Sequence, residues 1–116
     1  MKNNREWLRT GSQLMILSLI SEKDRYGYEI VKELEERSDD TFIMKEGTLY
    51  PILHRMEDKG YLKSYSEKGD AGKARKYYSI TDKGSKQLVE DKRTWEQFSL
   101  SVRKVVGDMH VSAFEG

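Results

Sequence analysis

Hydrophobic positions along the chain recur first with a helical period, then with a period of two, then with a helical period again. Over residues 5 to 20, Trp7, Leu8, Leu14, Met15, Leu17, Leu19 and Ile20 put apolar side chains almost all round the second half of the segment. A helix of that kind belongs in the middle of a core. Residues 21 to 25 are polar and turn-like. From Gly27 to Arg37, Ile30, Val31 and Leu34 share one face and the acids the other, which predicts a second helix. After a break at 38 to 41, Leu49, Ile52, Leu53 and Met56 recur at helical spacing, and Gly60 is placed to end that helix. Pro51 lacks an N–H and clashes with a preceding turn. The third helix is therefore expected to open around Glu46 to Thr48, with the proline near its first turn.

The texture changes after Gly60. "YLKSYSEK" sets Leu62, Ser64 and Ser66 on one face and Lys63, Tyr65 and Glu67 on the other. "ARKYYSIT", residues 74 to 81, is rich in aromatic and β-branched side chains, and "GDAG" at 69 to 72 lies between. This predicts a β-hairpin with a loop longer than two residues. From Asp82 to about Val106 the helical period returns. Leu88, Trp95, Phe98, Val102, Val105 and Met109 step by seven, three, four, three and four, a heptad-like seam from Trp95 onward. Such a helix runs roughly 37 Å, further than a core built from the preceding elements extends.

The order is helix, helix, helix, hairpin, long helix. The fold class expected is mainly α (α+β): a winged helix-turn-helix with a two-stranded β-hairpin wing. The winged part spans residues 5–81. A long C-terminal dimerisation helix spans 82–109 and forms one compact unit with it. In such a fold the third helix is the one that enters the DNA major groove.

Composition narrows the function. The 116 residues suffice for one domain with one modest core. Charged residues make up 35% and hydrophobic ones 36%, which suits a wet surface round a small core. The absence of cysteine excludes disulfides and cysteine-based metal sites or nucleophiles. The longest apolar run, Leu14 to Ile20, is far short of the roughly 20 residues a bilayer needs. The amino-terminal residues lack the features of a signal peptide. A cytoplasmic protein without membrane contact is expected.

A net charge of +1 hides an asymmetry. Residues 28 to 40 hold Glu29, Glu33, Glu35, Glu36, Asp39 and Asp40 against Lys32 and Arg37. Residues 63 to 76 hold Lys63, Lys68, Lys73, Arg75 and Lys76 against Glu67 and Asp70. A local basic cluster on a hairpin fits a nucleic-acid backbone; an ordinary solvated surface has the same composition. The histidines His54 and His110 belong to no set with metal-ligand spacing. There is no nucleophile elbow and no phosphate-cradling loop, so neither an enzyme nor a cofactor is expected.

The third helix carries the chemistry. Its apolar face anchors it. Its other positions hold Thr48, Tyr50, His54 and Arg55, with Lys45 and Gly47 at its opening. Hydroxyl, imidazole and guanidinium reach bases or phosphates, and N–H groups near Gly47 and Thr48 can hold a phosphate. Lys73, Arg75 and Lys76 on the wing would add affinity independent of sequence. Each has a plainer alternative. Thr48 can cap the helix, Tyr50 can pack, and Arg55 and Lys59 can pair with Glu57 and Asp58. The acidic second helix leaves open a different class of function, a winged module that docks protein without binding DNA.

"YGYEIVKEL", "GTLYPILHRMEDKGYL" and "ARKYYSITDKG", in that order over roughly residues 8 to 90, resemble the PadR family of bacterial transcriptional regulators. The resemblance implies a homodimeric winged-helix repressor acting on a palindromic operator in double-stranded DNA. It also implies that the N-terminal and C-terminal helices build the dimer interface, which puts Leu8 there. The short C-terminal region resembles the subgroup with a single C-terminal helix. Some members of that subgroup hold flat aromatic effectors between subunits on a tryptophan, and Trp95 is at the corresponding position. Where many relatives have proline, this chain has Glu46; its carboxylate favours the helix dipole and opposes an approaching phosphate.

The residues point the same way on dimerisation. A lone chain would leave Trp95, Phe98, Val102 and Val105 on a ridge, and Leu88 continues their seam. Exposed apolar stripes of this kind mark interfaces, and a twofold dimer is the commonest closed solution. Trp95, with Phe98 beside it, reads as an interface anchor, as the stacking surface for a small-molecule effector, or as both.

Overall fold

A computed structural model describes residues 4–69 and 72–107, with side chains from Gly11 onward. The elements are α1 (Asn4–Glu22), β1 (Arg25–Tyr26), α2 (Gly27–Arg37), α3 (Glu46–Asp58), β2 (Leu62–Lys68), β3 (Ala74–Ile80) and α4 (Asp82–Val106). Helices and hairpin follow the expected order. The sheet differs in having three antiparallel strands, in the order β1-β3-β2. β1 is two residues long, too short for any periodicity to betray, and it occupies the segment that reads as a turn.

The core draws on every helix and on the hairpin. Ile16, Leu17, Leu19 and Ile20 of α1 meet Ile30 and Leu34 of α2, Leu49, Leu53 and Met56 of α3, Leu62 and Tyr78 of the sheet, and Leu88 of α4. Leu88 is therefore a correction to the expected seam. It is 7% exposed within the single chain, because α4 packs its first turns on α1 before it leaves the body. Gln13 of α1 marks that packing by donating its amide to Asp91 of α4 at 2.8 Å.

Capping chemistry fixes where the elements stop. Gly60 has φ +82°, the left-handed conformation a helix end needs. Its N–H donates to the Glu57 carbonyl and that of Tyr61 to the Met56 carbonyl, both at 2.9 Å, a paired closure of α3. Thr81 then joins two helix ends. Its hydroxyl donates to the Gly60 carbonyl at 2.6 Å and accepts from the Gly84 N–H at 3.0 Å, opening α4. Gly84 has no room for a side chain, since a Cβ there would collide with the Tyr61 carbonyl. Between α2 and α3, Asp39 and Asp40 take left-handed conformations, which aspartate tolerates better than most residues. Pro51 falls in the second turn of α3 rather than the first, because the helix already opens at Glu46.

An ionic cluster locks α1, β1 and α2 together. Arg25 is 6% exposed. Its Nε donates to the Leu19 carbonyl at 2.9 Å and its Nη2 to Glu22 at 2.8 Å. Arg37, at the end of α2, grips the same Glu22 carboxylate through both terminal nitrogens, at 2.9 and 2.8 Å. Glu33 completes the set, 2.8 Å from Arg37 and 3.8 Å from Arg25. The Arg37 hydrogen bonds foremost, then that of Arg25, hold the Glu22 carboxyl at about 2 against an ordinary 4.5.

A carboxyl lowered in this way binds its proton more readily in the unfolded chain. Its contribution to stability is complete above pH 4.5 and is lost as the pH falls toward 2. Glu22→Gln is expected to lower the urea midpoint at neutral pH and to flatten the loss of stability across that acid window. A variant that loses stability with acid as steeply as the parent would contradict this.

Candidate nucleic-acid interface

α3 buries Leu49, Leu53 and Met56 and turns its other residues outward. Lys45, Gly47, Thr48, Tyr50, His54 and Arg55 are all exposed. Helical spacing sorts them into two rows. Thr48 and Arg55, seven apart, share one edge; Tyr50, His54 and Glu57, at steps of four and three, share the other. The second edge faces the N-terminus of α2 and the wing. Tyr50 reaches Gly27, where a Cβ would lie 2.5 Å from its hydroxyl oxygen. Glu57 accepts from the Ser64 hydroxyl at 2.6 Å and lies 4.0 Å from the Lys76 ammonium.

These contacts decide some of the open alternatives. The residue that caps α3 is Lys45, which makes no side-chain cap hydrogen bond, and Thr48 lies inside the first turn. Tyr50 packs: burial foremost, then the Glu46 carboxylate, raises its phenol above the ordinary value. Its ring still shows a face to solvent. His54 lies 3.8 Å from Asp58 in an open, solvent-exposed arrangement. Arg55 forms no ion pair among the described residues.

The wing extends the surface. Alternation along β3 sends Tyr78 and Lys76 toward α3 and Arg75 and Tyr77 to the opposite face. Tyr65 stacks on its cross-strand partner Tyr77 with centroids 5.7 Å apart. The Tyr65 hydroxyl donates to Asp24 at 2.6 Å, chiefly for which its phenol is pushed up to about 12. That bond ties the hairpin to the α1–β1 connection. Tyr26 of β1 completes the aromatic group, edge-on to Tyr77 at 5.3 Å. Arg75 places its guanidinium carbon 4.7 Å over the Tyr26 ring. Lys73 is exposed at the end of the loop.

Tyr26, Glu57 and Tyr65 are the residues that sequence reasoning missed. The cross-strand pairing of Tyr65 with Tyr77 was within reach once the hairpin register was drawn. Tyr26 was not, because nothing marked β1 as a strand.

The acidic face of α2 is largely engaged within the fold. Glu29 accepts from the Tyr26 N–H at 3.2 Å, Glu33 binds Arg37 at 2.8 Å, and Glu36 lies 3.9 Å from Lys32. Along α4, Trp95 and Phe98 are each 41% exposed and lie 6.2 Å apart, and Val105 is 86% exposed. Val102 is half-buried. Leu8 lies on the α1 backbone, but its side chain, Met109 and His110 fall outside the described residues. Among the described residues, no cluster of three or more His, Asp or Glu could hold a metal. No described helix is long and apolar enough to cross a membrane.

The model of the "Transcriptional regulator PadR-like family" matches residues 16–90, from the core of α1 through the wing into α4. The chain belongs to the PadR-like family of transcriptional regulators. A transcriptional regulator of Mycobacterium tuberculosis is 34% identical over 112 residues, covering 97% of this chain and 98% of that one. The structure of a transcriptional regulator from Clostridium thermocellum is 39% identical with a TM-score of 0.79, over 87% of this chain and 98% of that one. A PadR-like regulator from Bacillus cereus gives 33% and 0.76, over 90% and 99%. The likeness to such PadR-like structures extends past the matched segment to the long C-terminal helix.

At Gly27 the first turn of α2 in this PadR-like chain receives the Tyr50 side chain of α3. Gly27→Ala puts a methyl against the Tyr50 hydroxyl and is expected to cost about 1 kcal/mol, overpacking outweighing the gain in helix propensity. The ring carbon Cζ would also stand 2.9 Å from that methyl, so removing the ring by Tyr50→Leu should recover most of the overpacking loss. Urea unfolding of both variants at one protein concentration checks it; no recovery in the double variant would mean the contact is not the cause.

Proposed function

We propose that the protein is a homodimeric repressor that binds a palindromic operator through α3 and the wing and is released by a flat aromatic effector. Residues 5–81 are the DNA-binding part and 82–109 the dimerisation part. The observation that carries the reading is the conjunction on α3: a face buried to 0–2% at Leu49, Leu53 and Met56 backs an outward set of donors and cations. Thr48, His54 and Arg55 read or position on the groove, with Lys45 and the N–H groups near Gly47 on phosphate. Tyr50 contributes through its packing on Gly27 and its remaining exposed ring. Lys73, Arg75 and Lys76 contact phosphates from the wing, and Lys76 must leave a weak exposed pairing with Glu57 to do so.

Dimerisation is supported by shape. The radius of gyration is 16.6 Å, against about 13 Å for a compact chain of this length, and α4 is what projects. Trp95, Phe98, Val102 and Val105 lie along the projecting part, and a second α4 would cover them. A twofold pair also sets two copies of α3 for successive turns of one DNA face. An aromatic effector between Trp95 and Phe98 of two subunits would release DNA by favouring a dimer with the wrong spacing. Protein docking through α2 has less support, because two of its carboxylates, Glu29 and Glu33, are already bonded within the fold.

Selection of bound sites from random duplexes is expected to return an inverted repeat. In a salt titration, Arg75→Ala with Lys76→Ala should weaken binding on every sequence and lower the salt slope by about one for each phosphate no longer neutralised. Unchanged affinity and slope would refute the wing's part.

Light scattering should return twice the 13.6 kDa chain mass, and Phe98→Asp should return one chain and no operator binding. In a Trp7→Phe background, planar aromatic compounds should quench Trp95 emission in the dimer. A broad panel without quenching would leave Trp95 as packing alone.

A further inference from the structure

Arg75 is held differently from the other wing cations. Lys73 is exposed, and Lys76 faces Glu57. The Arg75 guanidinium lies 4.7 Å over the Tyr26 ring. It also fills the space beside Gly69, where a Cβ would stand 2.7 Å from its Nε and 3.0 Å from its Cζ. Glu67 is its cross-strand neighbour, yet Arg75 makes no ion pair among the described residues. A guanidinium stacked by its face keeps its in-plane N–H donors available. This one is therefore both held in place and unclaimed by any described carboxylate.

The ring that holds it is itself held. Tyr77 meets Tyr26 edge-on at 5.3 Å, and Tyr28 stacks at 6.5 Å. The Tyr26 N–H donates to Glu29, and the next residue, Gly27, receives Tyr50 of α3. A line of contacts thus runs from α3 through Gly27 and Tyr26 to the wing cation. Among the described residues, no such line reaches Lys73.

We infer that Tyr26 is a positioning residue for DNA binding: with Gly69 it forms a slot that fixes the Arg75 guanidinium relative to α3. The inference rests on the DNA-binding reading. Arginine loses much rotamer freedom when it grips a phosphate. A slot that orders it beforehand removes part of that cost. The effect expected from one partly exposed stacked cation is roughly two- to fivefold in affinity.

The test uses the full chain and a fluorescein-labelled mixed-sequence duplex at low salt, read by anisotropy. Tyr26→Phe keeps the ring and should bind like the parent. Tyr26→Leu and Gly69→Ala should each weaken binding roughly two- to fivefold, and neither should weaken an Arg75→Ala chain further. Gly69→Ala leaves Tyr26 intact, so the test survives if Tyr26→Leu fails to fold. Losses that add to that of Arg75→Ala, or parental affinity in Gly69→Ala, would overturn the slot while leaving the DNA reading in place. Parental affinity in Arg75→Ala would also overturn it. A parent chain that does not bind the duplex at low salt would instead strike the proposed function itself.

Discussion

The antiparallel pairing of Arg25 and Tyr26 with Tyr78 and Tyr77 is the joint through which the helical body and the wing are related. Alternation gives the two residues opposite duties. Arg25 turns inward on the face of Tyr78 and is the hub of the cluster with Glu22, Glu33 and the Leu19 carbonyl. Tyr26 turns outward to Tyr77 and Arg75. A buried guanidinium is costly unless its donors are met; here α1 accepts from Nε and Nη2, and the Glu33 carboxylate of α2 adds its charge 3.8 Å from Nη1. The charge thereby specifies one relation of α1 to α2, and β1 passes that relation to β3. Without this strand the hairpin would be a two-stranded ribbon of marginal stability, attached to the body by Leu62, Tyr78 and a few side-chain bonds.

The other elements are set by short-range chemistry that agrees with that joint. Thr81 spans the end of α3 and the start of α4 with one hydroxyl. Gly84 lets the first turn of α4 press on the Tyr61 carbonyl. Asp91 receives amides from Gln13 of α1 and from Gln87 one turn back, both at 2.8 Å, so a nearly buried carboxylate is satisfied without a cation among the described residues. Tyr61 reaches Gln87 at 3.3 Å and extends the polar chain to the start of β2. The Gln13 bond docks α4 on α1, while those of Thr81 and Tyr61 tie the start of α4 to the connection between α3 and β2.

How much of this was legible depended on whether the cause was local. Periodicity located α2 and the start of α4 within a residue, because their apolar spacing is regular and Ser38 and Thr81 bound them; of the expected end at 109, residues 108 and 109 lie outside the described residues. The hairpin followed from alternation and "GDAG". β1 left no trace: a two-residue strand is defined by its partner and not by its own side chains. Leu88 was misassigned for a related reason. It is in register with the apolar ridge beyond it, and a heptad count cannot tell where a helix leaves the body. Tyr50 and the wing arginine show the same limit at the candidate site. Their residue types suggested DNA contact; that one rests on Gly27 and the other stacks on Tyr26 depends on residues 23 and 49 positions away.

α4 changes its surroundings partway along. Through Asp91 it packs on the body; from Trp95 to Val106 the side chains of Trp95, Phe98, Leu100, Val105 and Val106 are each at least 41% exposed. A helix that projects gains little from propensity alone, since most helical stability comes from a packed face. Trp95, Phe98 and Val105 are poor choices for a solvated helix and good ones for a covered one. In the proposed dimer the same geometry would let an effector act there. Body and ridge would share one helix, so a change in how two ridges meet would alter the separation of the two copies of α3. In that reading a ligand at Trp95 would be felt at Thr48 and Arg55 through the body, where Thr81 joins the start of α4 to the end of α3.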